Sequence, residues 1–113
     1  MKTTIQQLKA LTDETRLRLL ALLAHGELYI SDLVAVLRLP QSTVSRHLVL
    51  LKNGGWITDR RQGLWMYYQL TPAENSLPAE LQNILLARLG TIIEIKKDQG
   101  LLEIHLKGNW LNL

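Results

Sequence analysis

The sequence predicts a mainly α fold carrying a two-stranded β-hairpin, and three observations point to it. Apolar residues recur at helical spacing as far as Asn53. Only three residues, Arg38-Leu39-Pro40, separate a pair of short amphipathic segments. After Gly54-Gly55 the apolar period drops from 3.6 to 2, with a glycine turn at its centre.

The elements follow in order. Thr3-Thr4 ahead of Gln6-Gln7 has the form of a capping box, and Ile5, Leu8 and Leu11 form the apolar stripe of a first helix over about 3–11. Thr12 is placed to cap a second helix whose buried side is Leu17, Leu20 and Leu23-Ala24, with Gly26 just past its end. Ile30, Leu33, Val34 and Leu37 mark a short third helix within 29–37. Pro40 suits the first turn of a fourth helix, 40–53, where its missing N–H costs nothing.

In that fourth helix Val44, Leu48 and Leu51 point inward, while Gln41, Ser42, Ser45, Arg46 and Asn53 occupy the opposite arc; Val49 and Leu50 blur the division. Trp56 reads as core. The hairpin spans 57–70 around Gln62-Gly63, with Ile57 on one strand and Leu64, Met66, Tyr68 and Leu70 alternating on the other. Residues 71–78 form a linker. Pro78 opens a last long helix, about 77–98, striped by Leu81, Ile84, Leu85, Leu89, Ile92 and Ile93. Residues 99–113 fit a strand, through Leu102, Ile104 and Leu106, or a continued helix equally well. Two helices, a three-residue turn and a hairpin in this order define a winged helix-turn-helix.

Composition bounds the function. With 113 residues the chain is read as one domain, 1–113, whose surplus apolar helix gains from pairing with a second copy. The absence of cysteine excludes disulfides, thiolate metal sites and thiol catalysis, and fits a reducing cytoplasm. The polar N-terminal stretch lacks an apolar signal region, and no apolar run approaches the ~18 residues of a membrane span. A cytoplasmic protein without membrane attachment is expected. No carboxylate or base is spaced to activate a nucleophile and no glycine loop would cradle a phosphate, so an enzyme is not expected.

The net charge is only +3, but residues 38–63 hold Arg38, Arg46, Lys52, Arg60 and Arg61 against Asp59 alone. A local basic patch on a near-neutral body is an electrostatic footprint for nucleic acid. The major groove of B-DNA, about 12 Å wide, admits one α-helix if short polar side chains let its backbone approach. Gln41 and Arg46 can read adenine and guanine edges, Ser42, Thr43 and Ser45 can bond bases or phosphates, and the helix N-terminus attracts phosphate. His47, which can reach phosphate or pack at the helix edge, and Lys52 complete the helical set; Arg60, Arg61, Gln62, Gly63 and Tyr67 form the wing's set. Double-stranded DNA is thus the expected partner. A protein-interaction module built on the same scaffold is the alternative.

Residues 27–70 resemble the ArsR-type (arsenical-resistance and metal-sensing) transcriptional repressors. The likeness rests on E-L-x-x-x-D-L at Glu27–Leu33, S-x-x-S-x-H-L at Ser42–Leu48, Gly55-Trp56-Ile57, and R-x-G…Y-x-L from Arg61 to Leu70. It implies a homodimeric repressor, its N- and C-terminal helices at the interface, that binds a palindromic operator and is released by an effector. The two recognition helices of such a dimer should lie about 34 Å apart.

Departures from the pattern are informative. Where many members carry paired cysteines, Tyr29 and Ser31 stand here, and neither is a soft ligand. Residues 79–98 hold no histidine, and Glu103 with His105 matches the family's interhelical zinc pattern poorly, so neither a metal nor any other cofactor is expected. His105 is expected to be exposed, and His25 to sit at a helix C-terminus. Any effector would be a small organic molecule near the dimer helices, with Tyr29, Ser31 and Trp110 as candidate contacts.

Overall fold

The computed structural model describes residues 1–72 and 74–111. Among them run α1 (Lys2–Lys9), α2 (Glu14–Leu23), β1 (Leu28–Tyr29), α3 (Ile30–Leu37), α4 (Gln41–Asn53), β2 (Ile57–Gln62), β3 (Trp65–Leu70), α5 (Leu77–Leu89) and α6 (Ile93–Leu111). The winged helix-turn-helix is present, with two departures from expectation. The wing is the larger portion of a three-stranded antiparallel sheet in the order β1-β3-β2, not a two-stranded hairpin. And the single long helix expected over 77–98 is two helices.

The N-terminal half shows why caps are hard to place from sequence. Met1, not a threonine, precedes α1, and no side chain caps it. Asp13 rather than Thr12 caps α2, its carboxylate accepting from the Arg16 amide at 3.1 Å. The Thr12 hydroxyl instead donates to the Lys9 carbonyl at 2.8 Å and closes the end of α1. Nor is α2 one-sided: Leu19, Leu20, Ala21, Leu22 and Leu23 are all buried because other elements surround it, whereas Ala24 is exposed.

At the turn after α3, Arg38 takes the left-handed conformation (φ 56°) and Pro40 the extended one (ψ 144°), which places Pro40 just before α4 rather than inside its first turn. Val44, Leu48 and Leu51 of α4 join the α2 leucines and Trp56 in the main core. The Trp56 indole is fully buried and donates to the Gln7 carbonyl at 2.7 Å, pinning α1 to the start of the wing. Gly54 has no room for a side chain, since a Cβ there would lie 2.9 Å from that of Ala10.

In the sheet Gln62 pairs with Trp65, so the two-residue turn is Gly63–Leu64 and not Gln62–Gly63. Gly63 alone of the two has positive φ, 62°, as the type II′ hairpin turn requires. Leu64 therefore sits at the tip, 96% exposed, instead of alternating with Met66, Tyr68 and Leu70. β1 adds the pairs Leu28↔Tyr68 and Tyr29↔Tyr67.

Ser76 caps α5, its hydroxyl accepting from the Ala79 amide at 3.2 Å. The helix stops at Gly90, and α6 begins at Ile93 and continues through the stretch that could have been a strand. On α6 Ile95, Asp98 and Leu102 are buried and His105 and Leu106 half-buried, while Ile104 is exposed. Residues 112 and 113 lie outside the described residues.

An ion pair and a histidine–carboxylate contact hold α6 against the body. Arg18 of α2 donates twice to the buried Asp98 carboxylate, at 2.7 and 2.9 Å, and that hydrogen-bonded partner raises the arginine pKa above its already high ordinary value. His105 Nε2 lies 3.0 Å from Oδ1 of the buried Asp32. His105 is consequently half-buried rather than exposed, because α6 turns it toward α3. Asp32 also accepts from the Tyr29 amide at 3.1 Å, which closes the first turn of α3.

Removing one partner of a buried pair leaves the other charge uncompensated. Arg18→Met is expected to destabilise the fold by about 3 kcal/mol in urea unfolding at fixed protein concentration. The double variant Arg18→Met/Asp98→Leu should recover much of that loss. A single variant as stable as the parent would show that the pair does not hold α6.

Candidate nucleic-acid interface

Burial of Val44, Leu48 and Leu51 sets the rotation of α4 about its axis. Gln41, Ser42 and Arg46 are thereby exposed, with Thr43 and Ser45 half-buried at the flanks and Asn53 exposed at the far end. Among the described residues, the side chains of Gln41, Ser42, Ser45 and Arg46 make no hydrogen bond or ion pair within the chain. Pro40 offers no side-chain cap; its carbonyl accepts from the Thr43 and Val44 amides, and the Gln41 and Ser42 amides are left for an external acceptor.

His47 does not share this face. It packs at the helix edge toward α2, its Nδ1 3.2 Å from Arg16 Nη1 and 3.8 Å from an Asp13 carboxylate oxygen. The same guanidinium donates through Nε to the Ala10 carbonyl at 2.7 Å. Arg16 thus ties the end of α1 to the middle of α4.

The basic residues divide into paired and outward groups. Lys52 Nζ lies 3.0 Å from Asp59 Oδ1, which joins the C-terminal turn of α4 to β2. Arg60 forms a two-pronged pair with Glu27, at 2.7 and 2.6 Å, and donates to Gln62 Oε1 at 2.7 Å. Its hydrogen bonds hold the Glu27 carboxyl below the usual carboxylate range. The Arg60 guanidinium also lies 4.6 Å from the centre of the Tyr67 ring. Among the described residues, Arg46 and Arg61 have no ion-pair partner, and Arg61 is exposed toward the wing tip with Gln62 and Gly63.

Behind the wing Tyr29 packs edge-on against Trp65 (5.4 Å between ring centres) and tilted against Tyr67 (5.7 Å). Its ring therefore belongs to an aromatic cluster that braces β1 on β3. Ser31 is exposed, His25 is exposed beyond the end of α2, and the Trp110 side chain lies outside the described region. Among the described residues no three His, Cys, Asp or Glu side chains gather as metal ligands, and Glu103 points to solvent while His105 faces Asp32. No described helix is long and apolar enough to cross a membrane.

Sequence reading missed the partnerships Glu27–Arg60, Asp32–His105 and Arg16–His47. Glu27 and Asp32 lie within the quoted E-L-x-x-x-D-L pattern, yet their partners are 33 and 73 residues away, beyond any local signal.

Fold and exposed helix together define a winged helix-turn-helix protein whose second helix presents a polar face. Residues 13–58 match the family model described as bacterial regulatory protein, arsR family. An arsenic resistance transcriptional regulator of Pseudomonas putida is 43% identical over 79 residues, 69% of each chain. The arsenical resistance operon repressor of Escherichia coli is 48% identical over 69 residues, a match spanning 60% of this chain but only 59% of that repressor. The solution structure of a homodimeric winged helix-turn-helix DNA-binding domain from Mycobacterium bovis superposes with a TM-score of 0.68 at 28% identity, covering 81% of this chain and 82% of that one. This chain belongs to the ArsR family.

Tyr68 faces Asp59 across the β2–β3 ladder, and its phenol is pushed above the ordinary value, first by burial and then by Asp59, with Lys52 opposing. A raised folded-state pKa means that this contribution to stability is complete below pH ~10 and is lost as pH rises through the folded value. Alkaline titration of phenolate absorbance should show one tyrosine ionising last, and Tyr68→Phe should abolish that step. Loss of an earlier step instead would contradict the assignment.

Proposed function

We propose that the chain is a sequence-specific DNA-binding transcriptional repressor, acting in the cytoplasm as a homodimer on a two-fold symmetric operator. The observation that carries this reading is the unpartnered polar face of α4, with Gln41, Ser42 and Arg46 outward over a fully buried apolar base. In the proposed complex Gln41, Ser42, Thr43, Ser45 and Arg46 enter the major groove. Arg61, with Gln62 and the Gly63 turn, lies beside the backbone. Lys52, Arg60 and Tyr67 hold the wing at its angle, and His47 positions α4 through Arg16.

The names of the relatives, as arsenical and arsenic resistance regulators, support repression, and the homodimeric state of the M. bovis domain supports the dimer. So do the exposed apolar side chains Leu8 of α1, Ile84 of α5 and Ile93 and Ile104 of α6. Those helices are proposed as the dimer interface. The protein-interaction alternative is not favoured, because nothing in the described chain covers the α4 face. Release from DNA would use an effector held without thiolates, since Tyr29 and Ser31 offer none.

Fluorescence anisotropy with the promoter duplex and a scrambled duplex tests the roles. Arg46→Ala is expected to cost about 1–3 kcal/mol on the cognate site and little on the scrambled one. Arg61→Ala should weaken both alike and reduce the slope of log K against log salt by about 1. Equal losses on both duplexes for Arg46→Ala would remove it from base readout. Binding that ignores salt would overturn DNA recognition altogether.

A further inference from the structure

A cleft of about 400 Å³ opens between α1, α2 and the C-terminal half of α4. Three of its lining residues are cationic, Lys2, Lys9 and Arg16, and no carboxylate lines it. Ile5, Ala10 and Leu50 supply an apolar wall, and Ile5 and Leu50 remain 45% and 43% exposed. A cleft of similar size between α2, α3 and α6 has the opposite character: Arg18, Arg38 and Lys97 face Glu14, Glu94 and Asp98, so its charges offset one another.

We propose that the cleft between α1, α2 and α4 binds a small organic anion, an apolar body bearing a carboxylate. Three cations around a cleft that no carboxylate lines make its potential positive, and an anion among them is attracted there. The volume lies in the range of small-molecule sites and far exceeds what a bare phosphate fills. Covering Ile5 and Leu50 adds a hydrophobic gain that an inorganic ion cannot collect.

The site borders the outward arc of α4 at its C-terminal end, where Leu50 and Asn53 line it. Leu50 belongs to α4, and Arg16 is shared between the cleft and His47, at 3.2 Å. A carboxylate that draws the guanidinium toward itself competes with the His47 contact and shifts the support of α4. The cleft is therefore the effector site of the regulator, a consequence that rests on the DNA-binding reading, whereas the binding itself does not. It lies apart from Tyr29, Ser31 and the aromatic cluster.

Isothermal titration calorimetry of the full chain without DNA tests the site, with 2-naphthoate as probe and 2-naphthylmethanol and 2-naphthylmethylamine as controls. Naphthoate should bind at least about ten-fold more tightly than the alcohol, and the amine should give no heat. Ten-fold corresponds to about 1.4 kcal/mol. Lys2→Gln/Lys9→Gln, a change at two exposed positions, should weaken naphthoate about ten-fold while leaving the melting temperature within a few degrees. No binding, equal binding of all three probes, or an unaffected double variant would overturn the site. Displacement of naphthoate by equimolar inorganic phosphate would reduce it to a plain anion site and overturn the organic ligand. Naphthoate should also lower the affinity of the parent protein for its promoter duplex; binding that leaves that affinity unchanged would overturn the effector role. Failure of the chain to bind any duplex would sink the DNA reading and leave the calorimetric result standing.

Discussion

Burial of three side chains of one helix is the constraint on which the rest depends. Val44, Leu48 and Leu51 are almost wholly removed from solvent against the α2 leucines and Trp56. Each contributes on the order of 1.5–3 kcal/mol through that burial. Their common side of α4 admits no rotation of the helix without exposing one of them, so the opposite arc is outward by necessity. The polar face of Gln41, Ser42 and Arg46 is presented by the core, with no contact of its own to hold it there. The same core sets the angle of the wing, because Trp56 ends in a hydrogen bond to α1 and leads directly into β2.

Electrostatics then decides which cations remain available. By count the 38–63 window is strongly basic, yet Lys52 is engaged by Asp59 and Arg60 by Glu27. A guanidinium held by both oxygens of a carboxylate is a brace first and a charge second. Arg46 and Arg61 keep their charge directed outward. Elsewhere the buried carboxylates Asp98 and Asp32 act at long range in sequence, each holding α6 against one of the helices that carry α4. The C-terminal helix is thus mechanically linked to the helix-turn-helix through an ion pair and a histidine–carboxylate contact as well as through apolar packing.

The C-terminal third shows how a periodic pattern can mislead in both directions. The stripe from Leu81 to Ile93 keeps its helical phase across Gly90, so a break at the glycine leaves no mark in the apolar pattern. In α6 the reverse holds. Asp98 and His105 occupy core-facing positions, and replacing two apolar residues by polar ones interrupts the 3.6 spacing that Ile95 and Leu102 would otherwise announce. What survives is the alternation of Leu102, Ile104 and Leu106, which resembles a strand although Ile104 is exposed. The two-residue β1 is too short to show any period, and only its pairing with Tyr67 and Tyr68 makes it a strand.

From sequence alone came the helix-turn-helix, the hairpin, the apolar base of α4 and the outward set on it, because spacing and turn chemistry act between near neighbours. Proline before a helix, glycine at a turn and a leucine every third or fourth residue carry their consequences within a few positions. Tertiary structure alone decided that His47 turns toward Arg16 and that Arg60 is spent on Glu27. It also decided that His105 meets Asp32, and that three cations of α1 and α2 gather around a cleft beside Leu50. Each of these depends on elements distant in the chain, and a polar side chain carries no record in the sequence of which neighbour the fold will bring to it.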